Sequence, residues 1–207
     1  MRAPEEKVLI DGPSGKIELI IENPGAPRGI ALIGHPHPLF GGMNTNKVAH
    51  SLARTFVALG YCAFRPNFRG VGLSEGTHDE GRGETEDMLA VLEEARRRCG
   101  NLPVALAGFS FGGFVQTRVA KRLTEAGHPA QRLVLVGTAA GFVEGTRSYD
   151  TEAVPNDTIV IHGSADETVP LANVLKWAEP LELPVSVVPG ADHFFHRRLH
   201  VIREIIT

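Results

Sequence analysis

Short apolar segments alternate along the chain with segments of helical periodicity. In Gly29–Gly34 and Val104–Ala107 the apolar residues follow one another without interruption, so neither face of the segment is polar. Strands with this pattern are buried on both faces, as in parallel sheets, and the helices that alternate with them provide the crossover connections. The pattern predicts further strands at Cys62–Pro66, Leu133–Val136, Thr158–Ile161 and Val185–Val188.

The intervening segments place apolar residues three or four positions apart, which predicts amphipathic helices. One example has apolar Met88, Leu92 and Ala95, and carries arginines in its last turn, where positive charge complements the helix dipole. The predicted helices are Asn46–Leu59, Glu84–Arg98, Phe111–Ala126, Leu171–Ala178 and Phe194–Ile206.

Two further strands, Val8–Ile10 and Lys16–Glu22, flank the turn residues Asp11–Gly15 and predict an antiparallel hairpin near the N-terminus. The chain is therefore predicted to be an α/β protein, with a mostly parallel sheet of about eight strands and helices on both faces. In such sheets ligands bind at the carboxyl ends of the strands. The loops that follow the strands are thus expected to carry the functional residues.

Composition and charge are those of an ordinary globular protein. The chain has 207 residues, of which 43% are hydrophobic and 22% charged, so a single domain spanning residues 1–207 is expected. The formal net charge is −3, with both signs spread along the chain. The absence of a basic stripe argues against nucleic acid or an anionic membrane as a partner.

Targeting and redox signals favour a cytoplasmic protein. The segment Met1–Lys7 lacks the apolar core of a secretory signal, and no apolar run approaches the roughly 20 residues that span a bilayer. Two cysteines, Cys62 and Cys99, are too few for a disulfide framework. We therefore expect a cytoplasmic protein without membrane association.

The pentapeptide from Gly108 to Gly112 has the pattern G-x-S-x-G, with Ser110 at its centre. It lies between a predicted strand and a predicted helix, the context in which this pattern forms a nucleophile elbow. The glycines leave room for a sharp turn, which projects the hydroxyl above the sheet near the positive end of the helix. Ser110 is therefore the predicted nucleophile, and the competing interpretation is a serine that merely caps the helix.

A serine hydroxyl needs a general base, and the base needs a group that orients it. In a fold of this kind the order along the chain is serine, carboxylate, histidine. Asp166 follows the penultimate predicted strand and His193 follows the last one, so we predict Asp166 as the orienting acid and His193 as the base. Glu167 lies farther from the strand end, and Asp192 is too close to His193 in the chain for an in-line contact.

Hydrogen-bond donors must also stabilise the oxygen of a tetrahedral intermediate. One predicted donor is the backbone N–H of Phe111, the residue after the nucleophile. The second is expected in the loop after Gly29–Gly34, where two prolines have no N–H to donate. The N–H of His37 is the preferred candidate and that of Leu39 the alternative. The competing interpretation is a rigid turn that the His37 side chain caps.

Several segments together resemble the α/β-hydrolase superfamily, and they extend over almost the whole chain. Within the superfamily, the chain is similar to the small, lidless bacterial hydrolases related to dienelactone hydrolases and short-chain esterases. The resemblance implies a serine hydrolase, with Ser110 in place of the cysteine nucleophile of dienelactone hydrolases. The segments that carry it are Gly34–Gly42, Asn67–Ser74, Gly108–Gly113, His162–Asp166 and Gly190–His193.

Many members of this superfamily carry a helical cap before the acid residue. Here the corresponding interval, Gly137–Asp157, has no long helical pattern, so little or no lid is expected, and an open site suits small substrates. The loop that contains Arg69 is expected to brace the site. The expected activity is cleavage of a small carboxylic ester through an acyl-enzyme, without cofactor or metal, in a monomer or a homodimer.

Three alternatives remain open from the sequence. The same residues could cleave a thioester or an amide, because a fold does not determine its substrate. A metal-dependent hydrolase would use His193, His196 and His200, which fall on one face of an ideal helix. A non-catalytic interaction domain would be expected to have lost a member of the predicted triad or the glycines of the pentapeptide, and all of these are present.

Overall fold

The computed structural model describes residues 3–143, 145 and 147–207 of the chain. The strands are β1 (Glu5–Gly12), β2 (Gly15–Glu22), β3 (Gly29–Gly34), β4 (Tyr61–Pro66), β5 (Val104–Phe109), β6 (Arg132–Val136), β7 (Gly141–Phe142), β8 (Ser148–Tyr149), β9 (Ile159–Gly163) and β10 (Val185–Val188). Within the described residues, eight of these form one sheet in the order β1-β2-β4-β3-β5-β6-β9-β10.

The sheet has the predicted mixture of directions. β1 and β2 form an antiparallel hairpin, and β2 pairs antiparallel with β4. The remaining pairs of the sheet, from β4 through to β10, are parallel. The predicted fold class, a mostly parallel sheet with an N-terminal antiparallel hairpin, is therefore confirmed.

Helices cover both faces of the sheet, as amphipathic helices between parallel strands require. They are α1 (Lys47–Ala58), α2 (Arg82–Cys99), α3 (Phe111–Glu125), α4 (Leu171–Ala178) and α5 (Leu199–Ile206). Apolar side chains of α2 and α3, such as Met88 and Val115, pack on one face of the sheet. Those of α1 and α5, such as Leu52 and Ile202, pack on the other.

The apolar patterns locate the central strands well, and one edge strand less well. β3 has the predicted bounds, and every residue of it is buried. β10 also has the predicted bounds, but it lies at the edge of the sheet and only Val188 is buried. The prediction that this strand is buried on both faces was wrong, because a run of three valines and one serine does not reveal whether another strand pairs with its outer edge.

The last predicted helix, Phe194–Ile206, is also corrected. α5 begins at Leu199, because Phe195 and Arg197 have positive φ angles of 51° and 61° that no α-helix accommodates. The Asp192 side chain accepts a hydrogen bond from the backbone N–H of His196 at 3.0 Å and holds this stretch as a turn. The residues before Leu199 therefore form a loop.

The interval Gly137–Asp157 contains the short strands β7 and β8, which pair antiparallel with each other. The prediction of little or no lid falls partly on Glu144 and Thr146, which lie outside the described residues. The described remainder of the interval contains no helix. Among the helices of the described chain, none is long and apolar enough to cross a membrane.

Candidate active site

Ser110 lies at the turn between β5 and α3. Its φ of 56° and ψ of −119° are a strained conformation for a residue with a side chain. Such strain persists only where the surroundings hold it, and here the Ser110 N–H donates to the carbonyl of Val136 in β6 at 2.9 Å. The strand-turn-helix context expected for the G-x-S-x-G pattern is therefore present, and the serine side chain is buried.

Glycines allow the helix that follows Ser110 to approach the sheet. A Cβ on Gly112 would lie less than 3.0 Å from the carbonyl of Gly34 in β3, and a Cβ on Gly108 would meet the backbone of Gly112 equally closely. The buried Gln116 reinforces this contact, since its amide donates to the carbonyls of Leu32 at 2.9 Å and Ala107 at 3.1 Å. The pentapeptide glycines thus fix the position of the helix N-terminus.

His193 connects the serine to a carboxylate. Its Nε2 lies 3.0 Å from the Ser110 hydroxyl oxygen, and its Nδ1 lies 2.7 Å from Oδ2 of Asp166. The side chains of all three residues are nearly excluded from solvent. The imidazole packs against the ring of Phe109, with ring centroids 4.9 Å apart, and lies beside Gly137, whose positive φ of 52° suits glycine. The structure therefore brings the three predicted residues together in one hydrogen-bonded row.

The Asp166 carboxylate is held in place by its own loop. Its Oδ1 accepts hydrogen bonds from the N–H groups of Thr168 at 3.0 Å and Val169 at 2.8 Å, which leaves Oδ2 for the imidazole. These two hydrogen bonds fix the orientation of the carboxylate. Asp192, by contrast, is bonded to the His196 ring at 2.5 Å, and this contact lowers the pKa of Asp192. Asp192 therefore serves its own turn and does not orient His193.

Backbone contacts join the loops that carry the acid and the base. The N–H of Ala165 donates to the carbonyl of Ala191 at 3.0 Å, and the N–H of Gly190 donates to the Ser164 hydroxyl at 2.7 Å. Gly163 permits this contact, since a Cβ there would collide with the Ala191 carbonyl. The two loops thus form one unit, and the distance between carboxylate and imidazole depends on both of them.

The loop after β3 is braced by His35. Its Nδ1 lies 2.7 Å from the Pro36 carbonyl, and its Nε2 accepts a hydrogen bond from the backbone N–H of Phe68 at 2.9 Å. These partners require a neutral ring with the proton on Nδ1. Burial lowers the pKa of His35 to about 3, which is consistent with this neutral state.

His37 was predicted either to donate its backbone N–H to the oxyanion or to cap a rigid turn with its side chain, and the loop shows features of both. The His37 Nδ1 accepts a hydrogen bond from the Leu39 N–H at 3.2 Å, so the side chain caps the loop and occupies the alternative donor. Burial, followed by the charges of His78 and Arg147, lowers the pKa of His37 to about 4. The backbone N–H of His37 has no acceptor among the residues that the structure describes, and the first N–H groups of α3, including that of Phe111, have none within the helix.

The loop that contains Arg69 is tied to α2 by a buried ion pair. The Arg69 guanidinium donates two hydrogen bonds to the Asp87 carboxylate, both at 2.7 Å. Gly83 makes room for the guanidinium, because a Cβ at that position would overlap with it. These contacts hold the loop against α2, as expected for a loop that braces the site.

A cavity of about 700 Å³ opens beside His37 and Phe111. Several aromatic rings line it, with the rings of His37 and Phe111 4.9 Å apart and those of Phe114 and Tyr149 5.0 Å apart. We call this cavity the aromatic cleft. Its residues are His37, Leu39, Phe40, His78, Glu80, Phe111, Phe114, Arg118, Arg147, Ser148, Tyr149, Asp150 and Glu152.

Some residues around the site were not found from the sequence. His162 lies under Asp166, with its Nε2 2.9 Å from the Val169 carbonyl and 3.4 Å from the Asp166 carboxylate, and burial lowers its pKa. A histidine at the end of an apolar strand, four residues before the predicted acid, is the signal that could have identified it. Gln116 and the residues of the aromatic cleft other than His37, Leu39 and Phe111 give no comparable signal in the sequence.

The metal alternative required three imidazoles on one helical face, and this arrangement is absent. His193 and His196 precede α5, the first bonded to Ser110 and the second to Asp192. In the part of the chain that the structure describes, the residues spaced to hold an ion are Glu5, Glu22 and His50. Arg65 already lies among them, with its guanidinium 2.5 Å from Glu22, so a cation would have to displace that charge.

The sequence of the chain is similar to those of several known proteins. A family model described as the alpha/beta hydrolase fold matches residues 36–179. An uncharacterized protein of Rickettsia prowazekii is 34% identical over 218 residues, covering 97% of this chain and 87% of that protein. The lysophosphatidylserine lipase ABHD12 of Gallus gallus is 33% identical over 123 residues, and the match covers 56% of this chain and only 32% of the lipase.

Two solved structures are similar over nearly the full chain. An α/β serine hydrolase homologue from Coxiella burnetii is 38% identical, with a TM-score of 0.84 over 97% of this chain and 95% of that one. A serine hydrolase without a lid from Xanthomonas campestris is 34% identical, with a TM-score of 0.85 over 99% of this chain and 92% of that one.

Proposed function

Because the chain belongs to the α/β-hydrolase family, we propose that it is a serine hydrolase that cleaves small carboxylic esters through an acyl-enzyme on Ser110. The observation that carries the proposal is the buried row of two hydrogen bonds, 3.0 Å from the Ser110 hydroxyl to His193 and 2.7 Å from His193 to Asp166. A serine without such a base is a poor nucleophile at neutral pH.

In the first step, the Ser110 oxygen attacks the ester carbonyl while His193 Nε2 takes the hydroxyl proton. Asp166 accepts the hydrogen bond from Nδ1–H, which fixes the tautomer and stabilises the imidazolium that forms. The negative charge that develops on the carbonyl oxygen is held by the N–H groups of Phe111 and His37. The position of Phe111 at the start of α3 adds the positive end of the helix dipole.

In the steps that follow, the tetrahedral intermediate collapses and the C–O bond to the alcohol breaks. His193 returns its proton to the departing alcohol. A water molecule then attacks the acyl-enzyme while His193 takes a proton from it, and the second intermediate releases the carboxylic acid and restores the Ser110 hydroxyl. No cofactor is needed for any of these steps.

Two observations favour an ester over the thioester and amide alternatives. ABHD12, which this chain resembles over part of its length, is by name a lipase, and lipases cleave esters. The described part of the interval before Asp166 holds two short strands in place of a helical cap, which suits a small substrate that the protein need not enclose. We propose a small-molecule ester as the substrate and the cytoplasm as its location.

The test is covalent labelling with a fluorophosphonate, followed by mapping of the adduct. We expect the label on the peptide that contains Ser110, none on Ser110→Ala, and wild-type labelling of Ser51→Ala, a serine on α1. Hydrolysis of 4-nitrophenyl acetate, compared with the corresponding thioacetate and anilide, should be fastest for the oxygen ester.

The proposal fails if Ser110→Ala keeps full activity on 4-nitrophenyl acetate. Absence of both labelling and hydrolysis in the wild-type protein would instead favour a non-catalytic interaction domain.

A further inference from the structure

The proposed reaction assigns no role to the aromatic cleft beyond its contact with His37 and Phe111. We propose that the aromatic cleft binds the acyl part of the substrate and that Arg118 binds a carboxylate at the far end of that acyl part. The inference rests on the proposed ester hydrolysis at Ser110. It adds a substrate class, esters of short aromatic acyl groups that end in an anionic group.

The first step concerns which part of the substrate the cleft receives. In the proposed reaction the alcohol takes its proton from His193, so the alcohol must lie on the side of His193. The residues around the cleft are those of the loop after β3, the loop before α2, α3 and the β8 region. None of its described lining residues belongs to the loops that carry Asp166 and His193. The cleft therefore extends from the carbonyl away from the departing alcohol, which is the direction of the acyl group.

The second step concerns the position of Arg118. Phe111, Phe114 and Arg118 are spaced three and four residues apart on α3 and share one face of the helix. The Arg118 guanidinium lies 5.9 Å from the centroid of the Phe114 ring. Arg118 lies seven positions after Phe111, or about 10 Å along the helix axis. An extended acyl group that begins at the Phe111 N–H can therefore reach the guanidinium.

The third step concerns the charge of Arg118. Its two nearest basic neighbours on α3 have acidic partners, since Lys121 pairs with Glu152 at 2.9 Å and Arg122 with Glu86 at 2.5 Å. Arg118 forms no ion pair with any described residue, and its Nε is buried without a hydrogen-bond partner there. A buried donor of a charged group is costly when left unmatched. A carboxylate in the cleft would provide a charge-assisted hydrogen bond.

Acidic residues also line the cleft and oppose an anion. Glu152 pairs with Lys121 at 2.9 Å, and Glu80 lies 3.7 Å from the guanidinium of Arg82, so each has a positive charge nearby. Asp150 and Arg147 also line the cleft, and the Arg147 guanidinium lies 4.1 Å from the centroid of the Phe40 ring. Because the acidic residues of the lining have basic residues in the lining or beside it, Arg118 determines the charge that the far end of the cleft prefers.

The test uses 4-nitrophenyl esters that share one acyl skeleton and differ in its terminal group. The probes are the esters of 3-(4-carboxyphenyl)propanoic acid, of the uncharged carbamoyl analogue and of the cationic aminomethyl analogue. For the wild-type protein we expect kcat/KM for the carboxylate probe to exceed that for the carbamoyl probe by about tenfold, the effect of one charge-assisted hydrogen bond. The advantage should shrink as the salt concentration rises. A preference for the aminomethyl probe would overturn the inference, because it would mean that the acidic residues dominate.

Two variants distinguish an effect of Arg118 itself from an effect of the overall positive charge of α3. Arg118→Gln should reduce the carboxylate-to-carbamoyl ratio to about one. Arg122→Gln, which removes an equal charge one turn away, should leave the ratio unchanged. Thermal unfolding of each variant verifies that it is folded, and the ratio cancels any change common to both probes. An unchanged ratio in Arg118→Gln would overturn the inference.

Failure of the inference can be distinguished from failure of the proposed function. If 4-nitrophenyl acetate is hydrolysed but the three longer probes are not, ester hydrolysis at Ser110 stands and the role of the cleft is refuted. If 4-nitrophenyl acetate is not hydrolysed and Ser110 is not labelled, the proposed function fails and the inference fails with it.

Discussion

Gly34 and Gly112 face each other across the junction of β3 and α3 with no space for a side chain on either. A Cβ on Gly34 would lie 2.9 Å from the Gly112 carbonyl oxygen, and one on Gly112 would lie nearer still to the Gly34 carbonyl. The contact sets how closely the N-terminus of α3 approaches the loop that contains His37. The geometry of the proposed oxyanion site therefore depends on two residues that take no part in the chemistry.

Substitution of Gly112 by alanine tests this dependence. We expect Gly112→Ala to lower the free energy of unfolding by about 3 kcal/mol, since the added methyl group meets backbone atoms that cannot move independently. Activity on 4-nitrophenyl acetate should fall as well, because α3 and the Phe111 N–H are displaced. Urea unfolding and initial rates measure the two effects. Thr124→Ala, on the exposed part of the same helix, should change stability by less than about 0.5 kcal/mol. An equally small effect of Gly112→Ala would contradict the close contact.

The two aspartates near His193 are predicted to differ in their effect on catalysis. Asp166→Asn should lower kcat by about four orders of magnitude, because an amide N–H facing Nδ1 favours the wrong imidazole tautomer. Asp192→Asn should lower kcat by less than about tenfold, since Asp192 is bonded to His196 and not to the imidazole of His193. Steady-state kinetics with 4-nitrophenyl acetate distinguishes them. Comparable losses in the two variants would mean that Asp166 is not the orienting group.

The buried His35 is predicted to make stability depend on pH. Its pKa is lowered by burial to about 3 in the folded protein, whereas a histidine in an unfolded chain has a pKa of about 6.5. As the pH falls through about 6.5, the unfolded chain binds a proton that the folded chain does not, so the unfolded state gains stability. Between about pH 7.5 and about pH 5 the folded protein should lose about 2 kcal/mol through this residue.

Urea unfolding at the two pH values measures that loss. His35→Gln should reduce the pH dependence by about the same 2 kcal/mol, since its amide can donate to the Pro36 carbonyl and accept from the Phe68 N–H without titrating. His128→Gln, at an exposed histidine, should leave the pH dependence unchanged. His37 and His162, whose pKa values are also lowered, should leave part of the pH dependence in place, but an undiminished pH dependence in His35→Gln would contradict the role of His35.

The sequence predicts those parts of the fold that depend on repeating pattern and on local turn chemistry. Uninterrupted apolar runs give β3 its observed bounds, and the glycine pattern places Ser110 between a strand and a helix. Asp166 and His193 could be selected because the end of each strand in a parallel sheet lies at the same rim. The structure brings these residues to hydrogen-bonding distance.

The features that the sequence does not predict depend on which side chains become neighbours in three dimensions. Helical spacing continues from α5 back to Phe194, but the Asp192 side chain captures the His196 N–H, and a local hydrogen bond of this kind outweighs periodicity. That Arg118 has no ion-pair partner among the described residues likewise depends on the partners of Lys121 and Arg122, which lie in other segments of the chain.

The ion pair of Arg69 and Asp87 leads to a prediction about stability that a count of contacts would miss. Both side chains are largely buried, and burial raises the pKa of Asp87 despite the adjacent guanidinium, so the pair bears a substantial desolvation cost. We expect Asp87→Leu and Arg69→Met each to lower the free energy of unfolding by about 3 kcal/mol, because each leaves one group without its partner. The double variant should lose less free energy of unfolding than the sum of the two single losses, because it leaves no unmatched charge between the loop and α2.

Urea unfolding of the wild-type protein, the two single variants and the double variant gives the coupling energy of the pair. The same cycle for Arg122 and Glu86, an exposed pair, should give a coupling energy of at most about 1 kcal/mol. Additive losses for Arg69 and Asp87 would contradict the assignment of this pair as the brace between the loop and α2.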